Sequence, residues 1–447
     1  MEQRGVPTVT IVTDKFVGLA HAMANSLDRP SLSLIVIPHP FGGQPESEVR
    51  ERARSVARQL PDVLAAWTPP QPTRAAVTET RPEMIEIETE GVEDHAFTLD
   101  RLGLTDGLPV IIPTAERVRR FLEHAGRPKD SQVGPLPPSG SLLTLSAAAA
   151  NAVMAGCRPQ YFPFVLQAVD ALMSADDINL SGIQTTTHPL GPMVVFSGPL
   201  AAEIGVASGV GALGPGWTAN ATIGRAVRLI VMNGGGARPA EVDRATMGQP
   251  GKYTFCFAEN EAQSPWEPYR VEHGFALEDT TVTVVGAEAP HNINDHGSTD
   301  AEGLLRTIAG SMATAGNNNL YWLGDTFLVL GPEHAAQLAR EGLSKNDVKG
   351  ELHRRARFPG AAMSTGQLAH LRSWIPEDER AAYADASGSI PLVRRPEDIH
   401  ILIAGGPGKH SMWIPTWFRS ATRRITGPGG SPARAITDLR LPAAVSV

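Results

Sequence analysis

Apolar and polar positions alternate in two rhythms over the first 67 residues. Val6–Val12 (VPTVTIV) is a β-branched run of buried-strand type, with Pro7 at its very start, where a strand tolerates proline. Asp14 can cap a helix over Lys15–Ser26, in which Phe16, Leu19, Ala20 and Met23 recur at helical spacing. Leu32–Ile37 is a second apolar run, closed by the loop Pro38–Gly43, and Glu46–Ala66 is a charged amphipathic helix. Strand, helix, strand, loop, helix predicts a parallel pair, yet two strands are too few for a stable doubly wound sheet. Residues 1–67 therefore read as an incomplete parallel-sheet α/β domain.

Thr68–Pro82 is Pro-rich and reads as a linker. From Glu83 to about Phe358 the pattern predicts a larger mixed α+β domain, giving an α/β protein as a whole. Ser146–Gly156, Pro159–Met173, Thr218–Asn233, Thr299–Ala313 and Glu333–Arg340 read as helices. Pro192–Ser197, Tyr253–Ala258, Thr280–Val285 and Thr326–Leu330 read as strands. Residues 359–447 read as a loop-rich C-terminal region with one late strand, Asp398–Ala404, that runs into Gly405-Gly406-Pro407-Gly408. No repeat at a fixed period is visible.

Composition narrows the function classes. A chain of 447 residues favours two or three domains. With 47 acidic and 39 basic side chains the formal net charge is -8, which argues against nonspecific nucleic-acid binding. No apolar run approaches the roughly 20 residues that cross a bilayer. MEQRGVPTVT lacks the apolar core of a signal peptide. Cys157 and Cys256 are the whole cysteine complement, too few for a disulfide framework or a zinc finger, so two free thiols and a cytoplasmic setting are expected.

Several polar clusters follow apolar runs, where open α/β sheets bind ligands. His39, stiffened between two prolines, suits an acid/base or polarising role. Cys157, beside Arg158 and just before a helix, is placed for a lowered thiol pKa. Thr185, Thr186, Thr187 and His188 offer hydroxyls and an imidazole in one turn, and Asn220 follows a Gly-rich lead into a helix that suits an anion. His291-Asn292-Ile293-Asn294-Asp295-His296 is a dense polar run, expensive to bury without a purpose, and is expected to share a pocket with residues 185–188. His291, Asp295 and His296 could ligate a metal, although their spacing matches no established site. Glu259-Asn260-Glu261 could do acid/base work. The Gly405–Gly408 turn fails the phosphate-loop pattern but would place Lys409 or His410 near an anion.

Gly5-Val6-Pro7 and Pro38–Gly43, in order and at this separation, resemble the second half of the UGSC family of (seleno)proteins, itself similar to the selenoprotein subunit of glycine and betaine reductases. The resemblance covers residues 1–67. In that family a Sec/Cys-Gly-Ser-Cys motif precedes the first helix; here it is absent. Stretches of the larger part, among them GCRPQYFP, GPGWTANATIGRA and APHNINDHGS, resemble the domain fused to some UGSC-type proteins.

The resemblance implies an enzyme subunit, oxidoreductase or lyase, cleaving a C–N or C–S bond of a small polar, carboxylate-bearing substrate reductively. A small partner subunit carrying the Cys/Sec-Gly-Ser-Cys half-domain would supply the nucleophile, facing His39. The large domain would bind substrate through Thr185–His188, Asn220, His291, Asn292, Asn294, His296 and Lys409. Two other readings stay open: a self-contained lyase or hydrolase using Cys157 or a metal at His291 and His296, and a non-enzymatic scaffold.

Overall fold

A computed structural model describes residues 5–26, 32–68, 92–174, 178–322, 324–377, 380 and 388–439. Of the linker Thr68–Pro82, all but Thr68 lies outside the described residues.

The N-terminal unit is β1 (Thr10–Thr13), α1 (Val17–Ser26), β2 (Leu34–Ile37) and α2 (Glu46–Ala65). β1 and β2 pair in parallel from Thr10↔Leu34 to Thr13↔Ile37. The first strand thus starts four residues later than its apolar run, since β2 offers only four partners and Pro7 has no N–H to donate. Ile35 and Ile37 are buried, while Ile11 and Val36 are 53% and 46% exposed.

The rest of the chain builds a four-layer sandwich. Its first half holds α3 (Val92–Arg101), α4 (Ala115–Leu122), the hairpin β3 (Gln132–Leu136) and β4 (Ser141–Thr144), α5 (Leu145–Met154), α6 (Phe162–Ser174) and α7 (Leu180–Thr185). There follow β5 (Gly191–Ser197), α8 (Pro199–Glu203), α9 (Thr218–Asn233), β6 (Cys256–Ala258), α10 (Tyr269–Glu272), β7 (Thr281–Ala287) and β8 (His291–Asn294). The second half holds α11 (Ala301–Met312), α12 (Asn318–Trp322), β9 (Thr326–Leu330), α13 (Pro332–Arg340), α14 (Lys345–Arg355), β10 (Arg357–Pro359), α15 (Thr365–Trp374) and β11 (Ser389–Pro391). It closes with β12 (Ile399–Ile403), β13 (His410–Ile414) and β14 (Thr416–Arg424).

One sheet has the order β14-β7-β5-β6, the other β12-β9-β13-β8. Alternate residues of each strand feed different cores, as a period of two requires. Met193, Val195, Phe257, Val285, Phe327, Val329, Leu402 and Ile414 meet between the sheets. Val194, Phe196, Val282 and Val284 pack outward on α5, α6 and α9. Leu328, Leu330, Ile401 and Trp413 pack outward on α11, α13 and α14.

The two sheets share one topology. β5 crosses over through α8 and α9 to its parallel neighbour β6, and β7 then returns antiparallel to β5. β9 crosses over through α13 and α14 to its parallel neighbour β12, and β13 returns antiparallel to β9. Both crossovers begin alike, with Gly198-Pro199 and Gly331-Pro332 opening the helix. The fourth strands are exchanged: β8, which follows β7, pairs with β13, and β14, which follows β13, pairs with β7. A duplicated unit therefore exists although no short period marks it in the sequence.

Three expectations are corrected. The polar run at 291–294 is a strand, not a loop. The described part of residues 359–447 is not mainly loop, since it supplies α15 and four strands, of which β13 lies inside a sheet and β12 and β14 at sheet edges. Asp14 does not cap α1; the short 3-10 turn Asp14–Phe16 precedes that helix and has no side-chain cap.

Phe327 is fully buried between the sheets. Phe327→Ala should cost about 3–5 kcal/mol of stability, read from the urea midpoint at unchanged slope. Ser344→Ala, which opens the capping box of α14, should cost only about 1 kcal/mol in the same assay.

Candidate functional site

His39 sits where β2 ends, and its loop is tied down from three sides. Thr13 Oγ1 lies 3.2 Å from His39 Nδ1. The His39 backbone N–H donates to Asp14 Oδ1 at 3.0 Å. Arg52 of α2 donates to Pro38 O at 2.7 Å and Pro40 O at 2.6 Å. The imidazole is exposed, 5.6 Å from the Phe16 ring. With Nδ1 engaged, Nε2 is the nitrogen that faces outward.

Cys157 does not have a lowered pKa. It is buried, its Sγ–H donates to Thr222 O at 3.2 Å, and burial pushes the thiol up to about 12. Arg225 opposes that shift weakly, and the helix proper begins only at Phe162. Desolvation outweighs the helix terminus. Burial likewise raises the Cys256 thiol. Both cysteines are free.

Residues 185–188 find their partners around the β14–β7–β5 sheet. Thr185 Oγ1 donates to Ser181 O at 2.9 Å, Thr186 Oγ1 accepts His188 N–H at 3.1 Å, and Thr187 O accepts Thr246 N–H at 2.9 Å. His188 stacks on Trp417, ring centroids 5.4 Å apart. Asn220 is buried on α9 and acts as a loop clamp. It accepts Ala207 N–H at 2.8 Å and donates to Ala207 O and Ala212 O at 3.0 and 3.1 Å.

The run 291–296 is organised by β13 and α13. Ile293 is fully buried while His291, Asn292 and Asn294 are exposed, so the run is a polar edge and its burial needs no functional explanation. His291 packs edge-on to Trp413. Asn292 Oδ1 lies 3.1 Å from His410 Nδ1, and His296 Nε2 lies 3.3 Å from His410 Nε2. The Asp295 carboxylate instead accepts Ser298 Oγ–H, Ser298 N–H and Gly297 N–H at 2.7, 2.8 and 3.1 Å. His291, Asp295 and His296 thus do not converge. Among the described residues no group of three or more His, Cys, Asp or Glu is placed to hold a metal ion.

A cavity of about 430 Å³ opens beside His410 of that pair, within the ~300–1,000 Å³ typical of small-molecule sites. Segments 210–214, 404–408 and 410–412 wall it, with Val329 and Gly331. It lies at the C-terminal ends of the parallel strands β9 and β12, where α/β sheets bind ligands. Lys409 sits in the turn beside it. Ser208 O accepts Gly405 N–H at 2.8 Å, and Asn260 N–H donates to Ile403 O at 2.7 Å, so both halves shape the opening. Beneath the wall His334 Nε2–H donates to Asp295 O at 3.1 Å, leaving Nδ1 to accept Ser411 Oγ–H at 2.8 Å. A close approach demands glycine at 331, where a Cβ would fall 2.2 Å from His410 O.

The corresponding end of the β5–β6 pair is closed. Glu259 accepts Ser197 Oγ–H at 2.6 Å and Tyr269 N–H at 3.0 Å, and Arg270, 2% exposed, pairs with Glu261 and donates to Ser197 Oγ. Burial raises the Glu259 carboxyl. A larger hollow of about 700 Å³ lies on the far side of loop 210–217, lined by Arg158, Trp217 and Thr218 among others. The sequence reading missed His334 and Ser411 altogether, since a serine inside an apolar strand and a histidine in a helix carry no spacing signal.

Two measurements check this account. Cys157 and Cys256 should resist an aromatic disulfide reagent in the native protein and both react once it is unfolded. The hydrogen bonds from Thr307, Ser298 and Gly297 outweigh burial and hold Asp295 down at about 2, against an ordinary ~3.9. Asp295 therefore stabilises the fold fully above about pH 4 and loses that contribution as pH falls towards 2. Asp295→Asn should flatten the acid limb of the stability curve over that interval.

No curated protein matches the chain at a significant level. Residues 1–66, the unit that presents His39, match the model of the UGSC family.

Proposed function

We propose that this chain is the subunit of a thiol- or selenol-dependent enzyme that presents His39 to a nucleophile carried by a partner. The observation that supports this reading is the exposed, tied-down His39 loop on a two-stranded parallel sheet whose Ile11 and Val36 face solvent. Among the described residues, β1 and β2 pair only with each other. Such a sheet invites further strands. The same segment matches the UGSC family. Neither thiol of this chain suits attack at neutral pH, because burial raises both.

In this reading a thiolate or selenolate of the partner attacks the substrate carbon as its C–N or C–S bond breaks. The leaving nitrogen or sulfur takes a proton, and the outward Nε2 of His39 is placed to give it. The partner's second thiol then attacks the chalcogen, the carbon takes a proton, and a dichalcogenide remains for an external dithiol to reduce. Oxidation of the two partner groups matches the two-electron reduction of carbon.

The test is co-expression with a small neighbouring protein that carries a Cys/Sec-Gly-Ser-Cys half-domain. The two should co-purify, and turnover should need both. His39→Gln should lower kcat by about 10²–10⁴ without releasing the partner. Ile11→Asp with Val36→Lys should release the partner and leave the sandwich folded. A lone, monomeric chain with full activity would overturn the proposal.

A further inference from the structure

We infer that the cavity at the ends of β9 and β12 binds a small carboxylic acid with an apolar body, its carboxylate gripped by His296 and His410 with uptake of one proton. This goes beyond the proposed function: the site lies in the sandwich rather than in the unit that carries His39, and binding there needs no partner subunit.

The shape comes first. The cavity floor is apolar, formed by Val329, Ala404, Met412 and Leu213. Its roof is the glycine-rich loop carrying Val210, which is 67% exposed. At position 406 a Cβ would lie 2.2 Å from the Val210 side chain, so the two loops touch over the opening only because that residue is glycine. The matching end of the β5–β6 pair holds Glu259, Arg270 and Glu261 instead. One end of the duplicated unit is filled with paired charge and the other is left open and apolar. The open volume, about 430 Å³, suits an acid of modest size.

The polar grip follows from proton positions. The Asn292 amide oxygen, 3.1 Å from His410 Nδ1, fixes the hydrogen on that nitrogen. Neutral His410 then presents a bare Nε2, which accepts the Nε2–H of His296 at 3.3 Å. Adding one proton to His410 leaves two N–H groups facing one another, an arrangement that repels itself, and rings that part from 3.3 Å to about 5 Å can take a carboxylate oxygen between them. The charged and titratable neighbours are His291 and Asp295 from β8 and its following turn, Lys409 from the turn before β13, and Glu333 and His334 from α13. Two of the acidic groups are already engaged: Asp295 accepts from the 297–298 turn, and Glu333 accepts Gly408 N–H at 2.8 Å. Lys409, next to His410 in the chain, adds positive charge close enough to act on His334. An acid bound this way places its α-carbon towards the apolar floor.

The experiment is titration calorimetry on the purified full chain with hexanoate, phenylacetate and hexanamide, at about pH 5.5 and about pH 8.5. The acids should bind and the amide should not. Acid affinity should weaken as pH rises, by up to tenfold per unit, as the uptake of one proton with the acid requires. His410→Gln should weaken the acids by about tenfold or more, the size of a lost charge-assisted hydrogen bond, and remove most of the pH dependence. Val210→Asp, a surface change that does not challenge folding, should weaken them by repulsion at the mouth. Equal binding of acid and amide, indifference to both substitutions, or no saturable binding at millimolar acid would overturn the inference. Acid binding without a co-purifying partner would reject the proposed function alone; partner-dependent turnover without acid binding would reject this site alone.

Discussion

The exchange of β8 and β14 between the two sheets is the constraint on which the rest of the sandwich depends. β7 passes into β8 through Glu288, Ala289 and Pro290, and β13 passes into β14 through Pro415 alone. The two crossings touch: Glu288 N–H donates to Pro415 O at 2.9 Å. Asparagines hold them from one side, with Asn318 N–H donating to Glu288 and Asn319 Oδ1 accepting Thr416 N–H at 3.0 Å. Neither sheet is complete without a strand from the other half, so one half cannot unfold without leaving an unpaired edge in the other.

That exchange also decides where chemistry can sit. Pairing the two units face to face brings the C-terminal ends of their parallel pairs together, and Asn260 links them through Ile403 O and Gly405 O. The ends then diverge in content. At β5–β6 the chain places buried charge: Glu259 with Ser197, and Arg270 with Glu261. Such groups need complete pairing, and they leave no room for a ligand. At β9–β12 the chain places Gly331, Gly405, Gly406 and Gly408 around an apolar floor. A duplicated frame with one end filled and one end open concentrates recognition on the open one.

Much of the frame was legible in the residues, and the failures have physical causes. β9 and α9 were read to the residue, because TFLVL is fully buried and Thr218–Asn233 is amphipathic and stopped by glycines. β8 was read as a costly polar loop because HNIN has a single apolar position; its hydrogen bonds to β13, not burial, make it a strand. β13 was hidden behind the Gly405–Gly408 turn, and β14 by its arginines. The duplication escaped because its copies share topology and a Gly-Pro helix start but little else. Cys157 was open to two readings, a reactive thiol and a buried small hydrophobe, since burial cannot be read from one neighbouring arginine; the structure has it buried. His39 was placed at the end of its strand as expected, while the histidine pair depends on a contact between β8 and β13 that no local pattern encodes.

The edges of the two larger sheets differ from those of the small N-terminal sheet. In the sandwich, β8 presents His291, Asn292 and Asn294, β14 carries Arg419, Arg423 and Arg424, β6 is only three residues long, and β12 is flanked by α14. Polar, cationic, short or covered edges resist further pairing. The β1–β2 sheet is only two short strands wide, with α2 against β2: its strands are TIVT and LIVI, and Ile11, Val36, Val6 and Phe41 are exposed. Where the sandwich is closed against other chains at every edge, the small sheet is open, and its loop fixes an imidazole at the open end.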